Sequence, residues 1–166
     1  GNLSVTSGGA ISDSGVIDVD GTSSFTTGSA NIDIDNATGN GLTGAVSFTT
    51  TGTGDVTFDN GTTAINLGTV SVGQNLEVQS GGAITDSGII TVGGTASFTT
   101  DLSDKPITIN SQNAISGQVT FSTTGTDGDV NFDNGATAIS LGVISRGDIG
   151  GDLILQTDVA TTISNA

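Results

Sequence analysis

The chain is built from short segments in which apolar and polar residues alternate. Leu3–Val5, Ile17–Val19, Ile32–Ile34, Val46–Phe48, Val56–Phe58, Ile65–Leu67, Val70–Val72 and Leu76–Val78 each set two apolar residues around one polar residue. A period of two sends alternate side chains to opposite faces of a strand, one buried and one wet. Gly, Asn, Asp and Ser, the residues of tight turns, separate the segments. No stretch places apolar residues at i, i+3, i+4 and i+7 through two helical turns, and strong helix formers are scarce. The pattern predicts an all-β chain.

The pattern also recurs at long range. Residues 1–27, GNLSVTSGGAISDSGVIDVDGTSSFTT, return as residues 74–100, QNLEVQSGGAITDSGIITVGGTASFTT, with nineteen of the 27 positions identical. TGTGDVTFDNGTTAINLG at 51–68 returns as TGTDGDVNFDNGATAISLG at 124–142, with one extra residue near Asp127. GDLILQTD, from Gly151, opens a third copy after a three-residue insertion around Asp148–Gly150. The repeats are therefore 1–73, 74–150 and a partial copy at 151–166, within a single segment. Leu3, Val5, Ile11, Ile17, Val19 and Phe25 reappear as Leu76, Val78, Ile84, Ile90, Val92 and Phe98, while Ser4, Thr6, Asp18 and Asp20 change to Glu77, Gln79, Thr91 and Gly93. Packing holds the buried phase and leaves the wet phase free to vary.

Each copy divides further. NLSVTS, SSFTTG, VSFTTT and NLEVQS share an apolar-x-apolar centre. Aligning Val5, Phe25, Phe48 and Val78 gives steps of roughly 20–30 residues, the last the longest, which is the period range of solenoid repeats. About three short strands per step predict a parallel β-solenoid of six to seven coils, in which each coil stacks on the one before. At about 4.8 Å per coil the rod is roughly 30 Å long. Stacking predicts inward ladders: Phe25 beside Phe48, Phe98 beside Phe121, Ile34 beside Phe58, and Ile109 beside Phe132. All six Phe sit at the apolar phase and are expected in the core. An antiparallel sandwich explains the strands but not a long recurrence with loop-sized insertions.

Composition excludes several function classes. The 166 residues include no Cys, His, Met, Trp or Tyr, and 17 acidic residues oppose only Lys105 and Arg146, for a net charge of -15. There is no disulfide framework, thiolate nucleophile, imidazole base or Cys/His metal site. Two basic residues make no patch for phosphates, so no nucleic-acid partner is expected. Anionic membranes repel such a chain, and no apolar run approaches the roughly 20 residues of a spanning helix, so no membrane insertion is expected. No signal peptide is recognised, and the opening at Gly1 suggests a piece of a longer protein.

Asp supplies nearly all the candidate chemistry. Stacking sets Asn31, Asp35 and Asn36 over Asp55, Asp59 and Asn60, with Asp35 and Asp59 about 5 Å apart, a separation at which two carboxylates repel unless a cation or proton intervenes. Asp35 and Asp59 are thus candidate calcium ligands. The competing reading makes both solvated turn residues beside an Asn36–Asn60 amide ladder. In the second copy the pair becomes Asn110 and Asp133, and no EF-hand or calcium β-roll spacing occurs. Asp18-x-Asp20-Gly21 and Asp127-Gly128-Asp129 read as Asp-Gly turns. The Asp residues are spread over every coil and lack a basic partner, so no enzyme, no catalytic residue and no cofactor beyond candidate calcium are expected. Thr doublets such as Thr99-Thr100 mark strand-to-turn edges rather than a face matched to ice or a polysaccharide lattice, given the β-propensity of Thr. Lys105 and Pro106, where the second copy reads DLSDKP against GSANID, and Arg146, beside the later insertion, mark loops suited to binding. The sequons at Asn2, Asn36 and Asn60 are those a Thr-rich chain forms by chance.

The string NL-x-V-x-SGGAI-x-DSG-x-I-x-V-x-G-T-x-SFTT, followed by GAVSFTTTG, DVTFDNG and AINLGTVSVG, resembles the haemagglutinin-type repeats of filamentous-haemagglutinin-like bacterial exoproteins, the adhesins of two-partner secretion. The resemblance covers essentially the whole chain. It implies a right-handed parallel β-helix, export to the medium or the bacterial cell surface, and a structural stalk presenting regions that bind a host or neighbouring cell surface or its glycans. An Asn-Pro-Asn-type secretion motif is missing, which places the chain in the central repeat region. Acidity keeps a long rod soluble and discourages lateral association, whereas open terminal coils invite end-to-end self-association. The alternative is a module that binds glycan or calcium directly.

Overall fold

The computed structural model describes residues 1–36, 39–144 and 147–161. Every strand pairing in it is parallel, and no helix occurs among the described residues. The chain winds as a β-solenoid of about seven turns. Each turn visits three faces in order. The first face carries Leu3–Ser7, Ser23–Thr27, Ala45–Thr49, Ile90–Val92 and Ala114–Ile115. The second carries Ile11–Ser12, Ile32–Ile34, Val56–Asp59, Leu76–Ser80, Ala96–Ser103, Gln118–Thr124 and Ser140–Leu141. The third carries Asp18–Val19, Gly41–Leu42, Ile84–Asp86, Ile107–Ile109, Val130–Asp133 and Leu153–Gln156. The long strand Ile65–Val72 turns the corner between the third and first faces: Ile65 pairs with Ile84, and Val70 with both Phe48 and Ile90.

The predicted ladders form. Phe25 pairs with Phe48, Phe98 with Phe121, Ile34 with Phe58 and Ile109 with Phe132. Ring centroids lie 5.8 Å apart for Phe25–Phe48 and 5.9 Å for Phe98–Phe121, both stacked. All six Phe are buried within one apolar core that runs along the shaft. Inward positions of the first turn, among them Leu3, Val5 and Ile11, are only partly buried, because neighbours cover them on one side alone.

One alignment differs from expectation. Phe48 is followed in its column by Val70 and not by Val78. Val78 lies on the second face between Phe58 and Phe98. The inward column of that face runs through Ile11, Ile32, Val56, Leu76, Ala96, Val119 and Leu141, in steps of similar length with no long one among them. The long step from Phe48 to Val78 thus joined two copies of one motif that occupy different faces. Likeness of sequence identifies repeat equivalents, whereas hydrogen bonding identifies neighbours.

Candidate functional site

The most distinctive surface feature lies where the second face turns toward the third. Asp35 follows Ile32–Ile34 and Asp59 closes Val56–Asp59, so the Ile34–Phe58 pairing sets them in adjacent turns of one column, as the spacing predicts. Asp35 is exposed, whereas Asp59 is 9% exposed. Asp59 Oδ1 accepts the Gly61 N–H at 2.7 Å. Next in the column is Gln79, whose Nε2 donates to Asp101 Oδ2 at 2.9 Å. Asp59 and Asp101 face a cleft of about 330 Å³ floored by Gly39, Gly61 and Gly81 and flanked by Thr62 and Leu102. Gly61 has φ +58°, and a Cβ there would strike the Gly39 backbone, so glycine is required for the turns to stack. Burial raises the Asp59 carboxyl above the ordinary carboxylate range; the Gly61 N–H opposes this, and the charges of Asp101 and Asp35 add to the rise. The cleft thus offers the carboxylates of Asp59 and Asp101 to a cationic or polyhydroxylated group. Among the described residues, no three acidic side chains come together in a way that could hold a metal ion.

Sequence reasoning pointed to Asp35 and Asp59 but missed Gln79 and Asp101. Their signal lay beside a feature it did flag: Asp101 opens the divergent stretch DLSDKP that contains Lys105 and Pro106. Those two residues serve the backbone, the Lys105 carbonyl accepting from Thr100 Oγ1 and the Pro106 carbonyl from the Ile84 N–H. Arg146 lies outside the described residues.

Most other candidate side chains hold turn to turn. Asn2 Oδ1 accepts the Thr22 N–H, Asn31 Oδ1 that of Asp55, Asp55 Oδ1 that of Asn75, Asn75 Oδ1 that of Thr95, and Asp129 Oδ1 that of Asp152. An Asn or Asp directly before an apolar-x-apolar strand recurs in the sequence and marks these stitches. Asp104 Oδ1 takes the N–H groups of Thr126 and Asp127, and these bonds lower its carboxyl below the ordinary range. Asp20 offers its carbonyl to Thr43 Oγ1 of the next coil, and Asp18 of the same motif lies in the strand Asp18–Val19 rather than in a turn.

The buried corner amides are Asn40 and Asn60 rather than Asn36 and Asn60. Asn60 Oδ1 accepts the Leu42 N–H, and its Nδ2 donates to the carbonyls of Leu42, Thr63 and Ala64. Asn40 accepts from the Ile17 N–H and donates to Asp13 Oδ2 and the Asp59 carbonyl. An asparagine further along the same loop reaches the interior, which the linear motif did not distinguish. The sequon at Asn60 is fully buried and closed to glycosylation. Threonine doublets do mark corners: Thr27, Thr50, Thr100 and Thr123 turn inward and donate to the carbonyls of Ala30, Gly54, Lys105 and Gly128. Outward hydroxyls form a short ladder on the first face, Thr6–Thr26–Thr49–Ser71–Thr91. It ends at Ala114.

Residues 1–49 and 53–122 match a family described as "Repeats of unknown function (DUF5649)". The chain belongs to that family. No curated protein and no solved structure gives a significant match. For these repeats the geometry of the shaft is therefore the basis of any functional reading.

Proposed function

We propose that this chain is a structural stalk segment of a large bacterial adhesin of the filamentous-haemagglutinin type, exported by two-partner secretion to the cell surface or the medium. The observation that supports the reading is the continuous parallel ladder from Leu3–Ser7 to Leu153–Gln156, with one register shift between Val46 and Phe48, around one continuous core. Such a rod is stiff because successive turns are joined by parallel ladders, and where the short ladder of Asp18–Val19 and Gly41–Leu42 ends, the Asn60 side chain bonds Leu42 to the next turn. Its surface chemistry is largely taken up in stitching turns, which suits a support that presents binding regions for other cells or glycans. No catalytic role is proposed. The net charge of -15 opposes lateral clumping, and self-association, where it occurs, is end to end.

Two experiments test this reading. Antibodies against the purified chain should label the outside of intact producing cells; a signal confined to the cytosol overturns it. Deleting the segment from the parent protein should weaken attachment, and an unrelated solenoid of equal length should restore it. Restoration only by the native segment favours the second reading, direct binding of calcium or glycan, for which the Asp59–Asp101 cleft is the supporting observation. Calcium binding would then raise Tm in proportion to the logarithm of calcium concentration.

A further inference from the structure

The repeat is not a whole number of turns. Val5, Phe25, Phe48 and Val70 stack on the first face, three turns in all. The next repeat equivalent of Val5 is Val78, one face further on, between Phe58 and Phe98. One copy therefore spans three and one-third turns. Phe25 and Phe48 lie on the first face and their equivalents Phe98 and Phe121 on the second. Phe58 lies on the second and its equivalent Phe132 on the third. The third copy opens with Leu153–Gln156 on the third face.

Packing travels with the sequence through this rotation. Phe48 and Phe58 are 5.3 Å apart at 56°, and Phe121 and Phe132 are 5.3 Å apart at 57°. Asn60 holds the backbone of Leu42 just as Asn134 holds that of Ile115. A motif's face is thus set by the number of turns before it rather than by its own residues.

From this we infer that the repeat is an extension unit that sets aim as well as reach: each whole copy added lengthens the shaft by three and one-third turns and rotates everything beyond it by one face. Three copies return to the starting face. The functional meaning rests on the stalk reading, since a binding region carried by the shaft is re-aimed by a third of a circle per copy. The same rotation moves surface features from face to face. Val16 and Ile89, exposed apolar equivalents at 56% and 52%, precede strands on the third and first faces.

The test uses the absence of native cysteine. Spin labels at Ser24→Cys and Thr91→Cys report two outward positions of the first face. One variant carries a second copy of residues 1–73 between Gly73 and Gln74. A control carries three extra whole turns, each a copy of residues 76–95, after Thr95 in a Cys pair moved to Ser24→Cys and Thr120→Cys. The inserted copy should lengthen the rod by about 16 Å in solution scattering, three and one-third turns at ~4.8 Å each. The Ser24–Thr91 distance should be several ångström longer than its native value extended by that axial advance along one face, because Thr91 has moved to another face. In the control the Ser24–Thr120 distance should grow only by what the axial advance of three turns requires at an unchanged lateral separation, the faces being unchanged. A copy variant that fails to fold cooperatively, or whose labels stay on one face, overturns the inference. Neither measurement depends on adhesion or secretion, so its failure is distinct from failure of the stalk reading.

Discussion

Residues 1–73 and 74–150 solve the same packing problem on different faces, and the places where they differ show which residues the solenoid needs. Inward positions barely change: Leu76, Val78, Ile84, Ile90 and Phe98 take the roles of Leu3, Val5, Ile11, Ile17 and Phe25. Change gathers at corners and on outward positions. The second copy replaces Asp35 with Asn110, diverges over Asp101–Pro106, and has Ala96 where the first has Ser23. Apolar columns accept any of the three faces because a triangular core offers each a similar environment. Corners are individual, since each must satisfy its own backbone groups with local side chains.

Matched substitutions test that equivalence. Phe48→Ala and Phe121→Ala each remove a ring flanked by two others. Each should cost about 3–5 kcal/mol in denaturant unfolding. The two losses should agree within about 1 kcal/mol; a much larger gap would show that the faces are not interchangeable. Asn60→Ala and Asn134→Ala should cost less, about 2–3 kcal/mol, by stranding the buried N–H and carbonyl of Leu42 or Ile115. Loss of neither stability nor amide protection at Leu42 would remove Asn60 from that role.

Much of this was legible in the sequence. Period-two alternation identified the strands, and recurrence of the Phe positions identified a stacked solenoid with its ladders. Assigning the residue that follows Phe48 in its column was not possible, because the recurrence of the motif and the length of a turn have no common multiple within one copy. The calcium candidates Asp35 and Asp59 were found by column, but only Asp59 lines the cleft, and Asp101 joins it there from two turns further on, bonded to Gln79 of the intervening turn. Such convergence depends on turn lengths that the motif does not state. The interior position of Asn40, as against Asn36, depends likewise on the path of one loop.

Ser23 is the clearest defect in the first copy. It is 1% exposed and points inward in the column of Leu3 and Val46, and its Oγ has no hydrogen-bond partner. Its equivalent, Ala96, fills the same role without a hydroxyl to satisfy. Ser23→Ala should therefore stabilise the fold by ~1 kcal/mol, about 2–4 °C in Tm for a chain of this size. The reverse change, Ala96→Ser, should destabilise it by a similar amount. Stabilisation by both or by neither would break the correspondence between these positions.

The smallest effect separates Asp59 from Asp133. Each closes a strand and accepts the N–H of a glycine two positions on, at 2.7 Å for Asp59 and 2.8 Å for Asp133. Only Asp59 is also crowded by Asp101 and Asp35, and its carboxyl is raised, first by burial and then by those charges. A raised carboxyl binds its proton more tightly when folded, so its contribution to stability is fully present below the ordinary value near ~4 and is lost as pH climbs through the folded value. Tm should thus rise as the solution is acidified from neutrality toward ~4. At lower pH, protonation of Asp104, whose carboxyl is depressed by the Thr126 and Asp127 N–H groups, works the other way. Asp59→Asn keeps the acceptor for Gly61 and removes the titrating group, so it should raise Tm at pH 7 by ~1–2 °C and flatten the acid rise. Asp133→Asn makes the same change in net charge at the matched corner. It should leave the slope in place, which separates a local effect of the crowded corner from general relief of a chain carrying a charge of -15. Equal flattening by both variants would mean that the crowding of Asp59 has no thermodynamic consequence.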